Sequence, residues 1–247
     1  MATLITLLTD FGSADSYVAE VKGVLLSQVH GAALVDITHQ IPPGDVRAAQ
    51  YVLSRVWHRF PQGSVHLAVV DPGVGTDRRA LAASLAGHFF VAPDNGLLSF
   101  LPPEAQFAAL PVPATAAPTF HARDVFAPAA GQLALGASLS HVGHAVGDVY
   151  RAPLPVPHHD GSVVIGEVIY VDRFGTLISN IPGQAVEPGV RIKVAGTEIG
   201  TLARTFGDVA RGALVSLVGS GGTVEIAVRD GSAARLLGVG VGAEVRA

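Results

Sequence analysis

Short apolar runs alternate with helix-like segments in the first half of the chain. The runs predict strands at residues 3–8, 32–37, 64–70, 81–85 and 89–92, of which the last two are expected to pair. Apolar positions at helical spacing predict helices at residues 16–29, 45–60 and 124–135. Asp15 is expected to cap the first helix, and Pro128 to lie near the first turn of the third helix or to kink it. This alternation predicts an α/β N-terminal domain, residues 1–152, with a mostly parallel layered sheet.

The second half of the chain has a different pattern. A Pro-rich segment at residues 153–160 predicts a linker. Short strand candidates separated by Gly-rich turns follow it, at residues 166–172, 190–194, 213–218, 223–228 and 243–246. We therefore expect a smaller all-β, barrel-like C-terminal domain over residues 161–247.

Composition excludes several classes of protein. The 247 residues are 49% hydrophobic and 15% charged, which supports a sizeable core. The absence of cysteine removes disulfides, thiolate nucleophiles and cysteine metal sites. Basic residues are scattered at a net charge of −4, which disfavours nucleic-acid binding. No apolar run has the roughly 18 residues of a membrane span, and the apolar start predicts a strand and not a signal peptide. We expect a cytoplasmic protein without a membrane partner.

The stretch from Asp71 to Arg78, DPGVGTDR, follows the apolar run at residues 64–70. A Gly-rich turn can bring the arginine back to the carboxylate, and two such charges at the mouth of a sheet can hold and polarise a water molecule. The alternative is a surface ion pair that closes a Pro-Gly turn.

Asp10 ends the first predicted strand. Ligands of open α/β sheets bind beyond the carboxyl ends of the strands, and Asp10 and Asp71 both occupy such positions. A lone carboxylate there suits a vicinal diol, such as that of a ribose, because it accepts two hydroxyl hydrogen bonds. The alternative is that Asp10 caps the turn before the first helix.

Further candidates carry weaker signals. His121 and Arg123 precede a helical segment, where a histidine is also compatible with a polar loop. Phe174 and Phe206 lie near turns and suit stacking on a base, or ordinary core packing. The glycines around Ser220 suit a close ligand approach or a tight hairpin. Adjacent residues rarely ligate one ion together, so no metal site is expected in the segment HHD at 158–160.

Seven segments in order resemble the family of S-adenosyl-L-methionine (SAM) hydroxide adenosyltransferases, whose relatives are the SAM-dependent fluorinases and chlorinases. They span nearly the whole chain: TDFG at 9–12, DITH at 36–39, VDPGVG at 70–75, APDNGLL at 92–98, TFHARDVFAP at 119–128, DRFG at 172–175 and EIAV at 225–228.

The resemblance implies hydrolysis of SAM to adenosine and L-methionine, with no cofactor. It also implies a homotrimer that binds SAM between the N-terminal domain of one subunit and the C-terminal domain of its neighbour. Asp71, Arg78 and His121 match the catalytic triad of the hydrolase branch, and Asp10 matches the carboxylate that grips the ribose. The other matches are contacts to methionine and to adenine: Asp172, Ser220 and Glu225 for methionine, and Phe206 and the backbone of Val228 for adenine.

Some positions depart from the family pattern. Thr176 stands where the family often has an asparagine near the adenine, and Gly219 and Gly221 replace an asparagine and a larger residue beside Ser220. Two alternatives remain open at this point, a halogenase of the same superfamily and a non-catalytic nucleoside- or SAM-binding module. A carboxylate at position 71 disfavours a halide, and a nucleophile-activating set of residues is not needed by a binding module.

Overall fold

A computed structural model describes residues 3–247 of the chain. It divides into two compact units, Met1–Pro153 and Leu154–Ala247. The predicted domain boundaries, 152 and 161, stay predictions. The segment predicted as a linker is partly ordered in a strand, because residues 158–160 pair with the strand that follows them.

The first unit contains seven strands and four helices among the residues that the structure describes. The strands are β1 Leu4–Thr9, β2 Ala33–Thr38, β3 Val65–Val69, β4 Ala80–Leu85, β5 His88–Pro93, β6 Gln106–Leu110 and β7 His144–Val146. The helices are α1 Tyr17–Gln28, α2 Val46–Val56, α3 Ala127–Ala134 and α4 Leu139–Val142, with a short 3-10 turn at Trp57–Arg59 and a π-helical turn at Ala122–Phe126.

The strands form one sheet in the order β2-β1-β3-β5-β4-β6-β7. The predicted α/β class is confirmed, whereas the sheet is mixed and not mostly parallel, with three parallel and three antiparallel pairings. The pairing changes direction at β4 and β5, which form the expected pair. Their connection is Ala86-Gly87, both with positive φ, and so short a loop allows only an antiparallel return.

The parallel strands β1, β2 and β3 determine which side chains lie together at one edge of the sheet. Ile5, Leu67 and Val69 point to one face, where they pack against α1 and α3. Thr6 and His66 alternate to the other face, where the hydroxyl of Thr6 bonds Nδ1 of His66 over 2.8 Å. Since β1, β2 and β3 are mutually parallel, their carboxyl ends meet at one edge of the sheet. The residues that follow these strands therefore lie close together.

The N-cap of α1 differs from the prediction, whereas the position of Pro128 agrees with it. The N-cap of α1 is Ser16 and not Asp15, and Ser16 makes no side-chain cap hydrogen bond. The third helix begins with a π-helical turn, and Pro128 lies in the first turn of α3. A proline nitrogen cannot donate to the carbonyl of Asp124, so the chain widens into a π-turn before the α-helix starts.

The second unit contains eight strands and one short helix. The strands are β8 His158–Asp160, β9 Val163–Val171, β10 Leu177–Pro182, β11 Arg191–Val194, β12 Thr197–Ala203, β13 Leu214–Val218, β14 Thr223–Val228 and β15 Glu244–Arg246. The helix is α5 Ala233–Leu237, and 3-10 turns lie at Gly183–Ala185 and Phe206–Asp208.

The second unit is a closed barrel. Its strands follow the order β10-β14-β13-β12-β11-β15-β9, and the pairing of β10 with β9 closes the ring. Strand β8 extends the sheet from β9 outside the ring. Closure leaves the barrel without open edges, and its interior is filled by side chains such as Val168, Ile181 and Ile226. The predicted all-β barrel is confirmed.

No helix within residues 3–247 is long and apolar enough to cross a membrane.

Candidate active site

Asp71 and Arg78 form a buried ion pair at the carboxyl end of β3. Nε of Arg78 donates to Oδ1 of Asp71 over 2.9 Å, and Nη2 donates to Oδ2. The side chains are only 6% (Asp71) and 9% (Arg78) exposed. The pair is therefore the bidentate, desolvated kind of contact, and the alternative of a surface ion pair is wrong.

The Gly-rich turn between these residues also admits a second segment. Gly75 has a φ of +78°, and a Cβ at this position would lie 2.7 Å from the carbonyl oxygen of Pro118. Only glycine accepts both this conformation and this approach. The turn consequently lets residues 117–121 come down beside the ion pair.

His121 completes a buried cluster with the ion pair. Nη2 of Arg78 lies 3.0 Å from Nδ1 of His121. A guanidinium can only donate, so Nδ1 accepts and the proton of the neutral ring is on Nε2. Burial lowers the pKa of His121, and the neighbouring positive charge of Arg78 lowers it further. His121 is therefore a buried neutral imidazole, and the alternative of a solvated loop histidine is wrong.

A salt-bridge network fixes the segment that carries His121. Arg123 donates from Nε and Nη2 to the carboxylate of Asp124, over 2.7 and 2.9 Å, and from Nη1 to Oε2 of Glu20 on α1, over 2.9 Å. Asp124 also accepts the backbone N–H of Ala117 over 2.9 Å. The segment 117–124 is thus tied both to itself and to α1.

Asp10 follows β1 at the same edge of the sheet. Its Oδ2 accepts the backbone N–H of Gly44 over 2.8 Å, immediately before α2. Gly44 has a φ of +73°. The carboxylate thus lies at the N-terminal end of an eleven-residue helix, where a negative charge is favoured. Asp10 makes no capping bond to α1 among the described residues, so the capping alternative is wrong.

A cavity of about 500 Å³ joins these residues. Asp10, Asp71 and His121 line it. Its apolar wall is built by three aromatic rings in edge-to-face contact, Phe11, Tyr17 and Phe120, with centroids 5.4 to 6.1 Å apart. The structure thus brings together four of the predicted site residues, since Arg78 is bonded to both Asp71 and His121.

Several residues of this cavity were not predicted from the sequence. Glu20, Gly44 and the three aromatic residues line it, and none of them belongs to a recognisable chemical motif. Only the family-like segments TDFG and TFHARD contained a signal for Phe11 and Phe120. Tyr17, Glu20 and Gly44 are brought there by the packing of α1 and by the turn before α2.

One donor in the cluster has no acceptor. Nη1 of Arg78 is buried and makes no hydrogen bond within residues 3–247. The guanidinium lies 5.2 Å from the centroid of the Phe126 ring. A buried donor without an acceptor is costly, and in native sites it is commonly satisfied by a bound polar atom. This N–H is therefore open to a bound polar atom, on the side of the guanidinium away from Asp71.

The remaining predicted site residues lie in the second unit. Asp172 forms the turn between β9 and β10, where its Oδ1 accepts the N–H groups of Phe174 and Thr176 over 2.9 and 2.8 Å. The ring of Phe174 is 76% exposed, so its alternative as a core residue is wrong. Thr176 is buried, and the pairing of β10 with β14 places it at the same end of the barrel as Val228.

Phe206, Ser220 and Glu225 occupy other parts of the barrel. Phe206 opens a 3-10 turn closed by a capping box between Thr205 and Asp208, and it is 47% exposed, so core packing is wrong here too. Ser220 lies in the hairpin between β13 and β14. Glu225 lies on β14 opposite Leu217.

The structure explains why residue 219 is a glycine, where the family pattern has an asparagine. A Cβ at this position would overlap the carboxylate of Glu225. A side chain larger than hydrogen is therefore incompatible with Glu225 in its present conformation. The two residues form a matched pair in the hairpin, and the glycine makes room for the acid.

Models of two domain families match the chain. The model of the SAM hydroxide adenosyltransferase N-terminal domain matches residues 5–143, and that of the C-terminal domain matches residues 166–246. The two matches together include the segments that hold all the predicted site residues.

Proteins of known name are similar over nearly the whole chain. The (R)-S-adenosyl-L-methionine hydrolase of Thermus thermophilus is 44% identical, over 97% of each chain. That of Salinispora tropica is 41% identical, over 98% of this chain and 96% of the other. A fluorinase of an Actinoplanes species is 28% identical, over 72% of this chain and 71% of the other.

Solved structures have the same fold. The crystal structure of an uncharacterized conserved protein from Thermotoga maritima matches with a TM-score of 0.91 at 37% identity, over 98% of both chains. A conserved hypothetical protein from Thermus thermophilus matches with a TM-score of 0.83 at 41% identity, over 100% of this chain and 99% of the other.

Proposed function

Because this chain belongs to the SAM hydroxide adenosyltransferase family, we propose that it hydrolyses SAM to adenosine and L-methionine. The observation that supports this most directly is the buried cluster of Asp71, Arg78 and His121 beside a cavity that Asp10 also lines. A nucleoside- or SAM-binding module would have no need of such a cluster.

The proposed reaction is a displacement at C5′ of the adenosyl group. The oxygen of water forms a bond to C5′ while the C5′–S bond breaks, and its electron pair leaves with sulfur as a neutral thioether. The proton released from water passes to a protein acceptor and then to solvent. Because the sulfonium is already a good leaving group, catalysis consists of activating and aligning the water. SAM is the substrate, and the proposed reaction requires no cofactor.

Arg78 stabilises the developing hydroxide. Its positive charge is held at the carboxyl end of β3 by contacts with Asp71 and His121, which both line the cavity. Two contacts hold the charge in place before the reaction, so little reorganisation is needed as negative charge grows on the water oxygen.

Asp71 faces the same water molecule, and His121 holds Arg78 in place. The carboxylate oxygens of Asp71 each retain a lone pair after binding Arg78, so they accept a proton or a hydrogen bond from water. His121 acts through Arg78, because its Nδ1 accepts from Nη2 and so keeps the guanidinium beside Asp71. These roles require His121 to stay neutral, which agrees with its lowered pKa.

Binding of the rest of SAM is proposed on family resemblance, except for Phe174, which is proposed because it is an exposed aromatic residue near a turn. Asp10 binds the ribose diol, with the N–H of Gly44 holding one of its oxygens. In the second unit, Asp172, Ser220 and Glu225 bind the methionine portion. Adenine contacts are assigned to exposed rings and to the barrel end: Phe174, Phe206, Thr176 and the backbone of Val228. The exposure of Phe174 and Phe206 suits rings that stack on a ligand.

The same cavity disfavours a halide as nucleophile. A halide site needs a small, dry pocket of donors, whereas the carboxylate of Asp71 adds a negative charge beside the proposed nucleophile position. We therefore propose water and not halide, although fluorinases are among the relatives.

We also propose that the protein is a homotrimer in the cytoplasm. This proposal rests on the family resemblance and the composition alone. Light scattering tests the assembly, and an active monomer would overturn it. Complementation tests whether a site is shared between subunits: mixed trimers of Asp71→Asn and Glu225→Ala chains should regain part of the activity that each variant lacks.

The activity itself is tested by incubating the purified chain with SAM and separating the products by chromatography. Adenosine and methionine are expected in equal amounts. Asp71→Asn should bind SAM and form almost no adenosine. Continued binding of SAM without adenosine formation by the natural sequence would support a binding module instead.

A further inference from the structure

Four side chains outside the reacting cluster form a continuous chain of contacts toward Asp10. Lys22 on α1 donates from Nζ to Oδ2 of Asp36 over 2.7 Å. The other carboxylate oxygen of Asp36 lies 3.1 Å from Nε2 of His39. Nδ1 of His39 lies 2.8 Å from Oγ1 of Thr9, the residue before Asp10. We call these four residues, Lys22, Asp36, His39 and Thr9, the relay.

The contacts of the relay differ in kind, and the chemistry of each group limits which atom can donate. Nε2 of His39 lies close to Asp36 but makes no hydrogen bond within residues 3–247, so this contact is one of proximity. Nδ1 of His39 and Oγ1 of Thr9 share a hydrogen bond of 2.8 Å. The oxygen of Thr9 in turn accepts the backbone N–H of Phe11 over 3.2 Å. The relay thus links the surface to the loop that carries Asp10, by hydrogen bonds at Lys22 and Thr9 and by proximity between Asp36 and His39.

The relay holds the backbone on both sides of Asp10. Phe11 N–H bonds Thr9 Oγ1, and Gly12 N–H bonds the carbonyl of His39 over 2.8 Å. Gly12 has a φ of +68°, so the loop turns sharply here. Thr9 is 2% exposed and is therefore shielded from the cavity. It touches no reacting atom in the proposed mechanism, and its hydroxyl stabilises the loop through hydrogen bonds.

The fold explains why these residues meet. The parallel strands β1 and β2 end side by side, and a bulge at residue 37 breaks their register after Leu7 and Asp36. The bulge turns the chain so that His39 returns over the end of β1. The segment DITH at 36–39, which the proposed chemistry does not use, is what supplies this contact.

We propose that the relay is a positioning element that fixes the direction of the Asp10 carboxylate and thereby sets affinity for the ribose diol. This inference rests on the proposed function through the role of Asp10. Removal of the Thr9 hydroxyl should loosen the loop on both sides of Asp10 while leaving Asp71, Arg78 and His121 untouched. The loss should therefore appear in binding of the diol.

A double-mutant cycle with adenosine tests the proposal by calorimetry on the full chain. Thr9→Val keeps the shape of the side chain and should raise the adenosine Kd about tenfold. In an Asp10→Asn background the same change should have an effect below about twofold, because the carboxylate that it positions is gone. Thr9→Ser, which keeps the hydroxyl, should restore most of the affinity.

Thr6→Val is the matched control. Thr6 lies three residues earlier on β1 and is also fully buried and bonded to a histidine, His66, over 2.8 Å. The two Thr→Val changes should lower the melting temperature similarly, whereas only Thr9→Val should weaken the binding of adenosine. With 2′,3′-dideoxyadenosine, which lacks the diol, Thr9→Val should change the Kd by less than about twofold.

Three outcomes would overturn the relay proposal: unchanged adenosine affinity in Thr9→Val, an equal loss in both backgrounds, or an equal loss from Thr6→Val. Failure of the proposed function has a different signature. The natural sequence would then bind adenosine with the Thr9–Asp10 coupling intact but would release no adenosine from SAM.

Discussion

Arg78 donates from the same nitrogen, Nη2, to the carboxylate of Asp71 and to Nδ1 of His121. This shared donor makes the protonation of His121 depend on the ion pair, since a protonated ring would direct an N–H at a guanidinium. It also leaves Nη1 of Arg78 as the buried donor that points at no protein acceptor among the described residues.

Activity should fall on the acid side because His121 must be neutral. Burial and the charge of Arg78 lower the pKa of His121 below its ordinary value of 6.5. The ring therefore stays neutral as the pH falls through 6.5 and charges only at a lower pH. We expect kcat/KM for SAM to be level through neutrality and to decline below pH 6.5. A pH profile measures this, and an acid limb centred above pH 6.5 would contradict it.

Replacing Arg78 by lysine should show that its geometry matters and not only its charge. Lysine keeps the positive charge but cannot bond Asp71 in bidentate fashion while also reaching His121. We expect Arg78→Lys to lower kcat about 100-fold, with little change in SAM affinity measured by calorimetry. Arg211→Lys is a suitable control, because Arg211 is 82% exposed in its pair with Asp230. Equal kcat in Arg78→Lys and the natural sequence would remove Arg78 from the mechanism.

The pairing of Gly219 with Glu225 predicts a rescue. Gly219→Ala inserts a Cβ where the carboxylate of Glu225 lies, so the flexible end of that side chain must turn aside and the free energy of unfolding should fall by about 0.5–1.5 kcal/mol. Truncation of the acid in Gly219→Ala/Glu225→Ala should relieve this overlap. Denaturant unfolding of the two single variants and the double variant measures the coupling.

Gly240→Ala controls for the insertion of a methyl group. No atom lies within 4 Å of the Cβ that it would add, and Gly240 has no positive φ. Its cost should be small. If the free-energy losses of the two single variants simply add in the double variant, the predicted overlap is not the cause of either loss.

Stability should decline with acid in part because of His66. Burial, followed by the charge of His88, lowers the pKa of His66 from 6.5 to about 3. Above pH 6.5 the ring is neutral in both states and the lowered pKa has no effect. Between pH 6.5 and about 3 only the unfolded chain gains the proton, so the free energy of unfolding falls by up to about 1.4 kcal/mol per pH unit.

His66→Asn separates this contribution from that of the carboxylates. The side-chain amide does not titrate and offers Thr6 an acceptor in place of Nδ1. The variant should lose free energy of unfolding less steeply than the natural sequence between pH 6.5 and 4, measured by urea unfolding. Parallel curves would assign the acid sensitivity elsewhere.

Sequence patterns predicted the strand ends well and the walls of the site poorly. Asp10 and Asp71 follow parallel strands, and parallel strands bring their ends together, so their proximity follows from topology alone. The N–H of Gly44 and the ring of Tyr17 reach the cavity only through packing between distant segments, which leaves no periodic signal. The π-turn at Ala122–Phe126 was not predicted either, because it results from the missing backbone N–H of Pro128.

Strands with irregular composition were also missed. Leu177–Pro182 contains Asn180 and ends in a proline, and Thr197–Ala203 contains a glycine with a φ of +121°. Neither has the alternation that marks a strand. Both form because closure of the barrel pairs them with neighbours on each side, an effect that lies outside any local window.

The source of the oxygen in the product tests the central claim most directly. The chain should be incubated with SAM in oxygen-18 water, with concentrated chloride or fluoride present, and the nucleoside product examined by mass spectrometry. We predict adenosine with the heavy oxygen at C5′, because Asp71, Arg78 and His121 activate water. A 5′-halo-5′-deoxyadenosine as the main product, or adenosine without the label, would contradict the account.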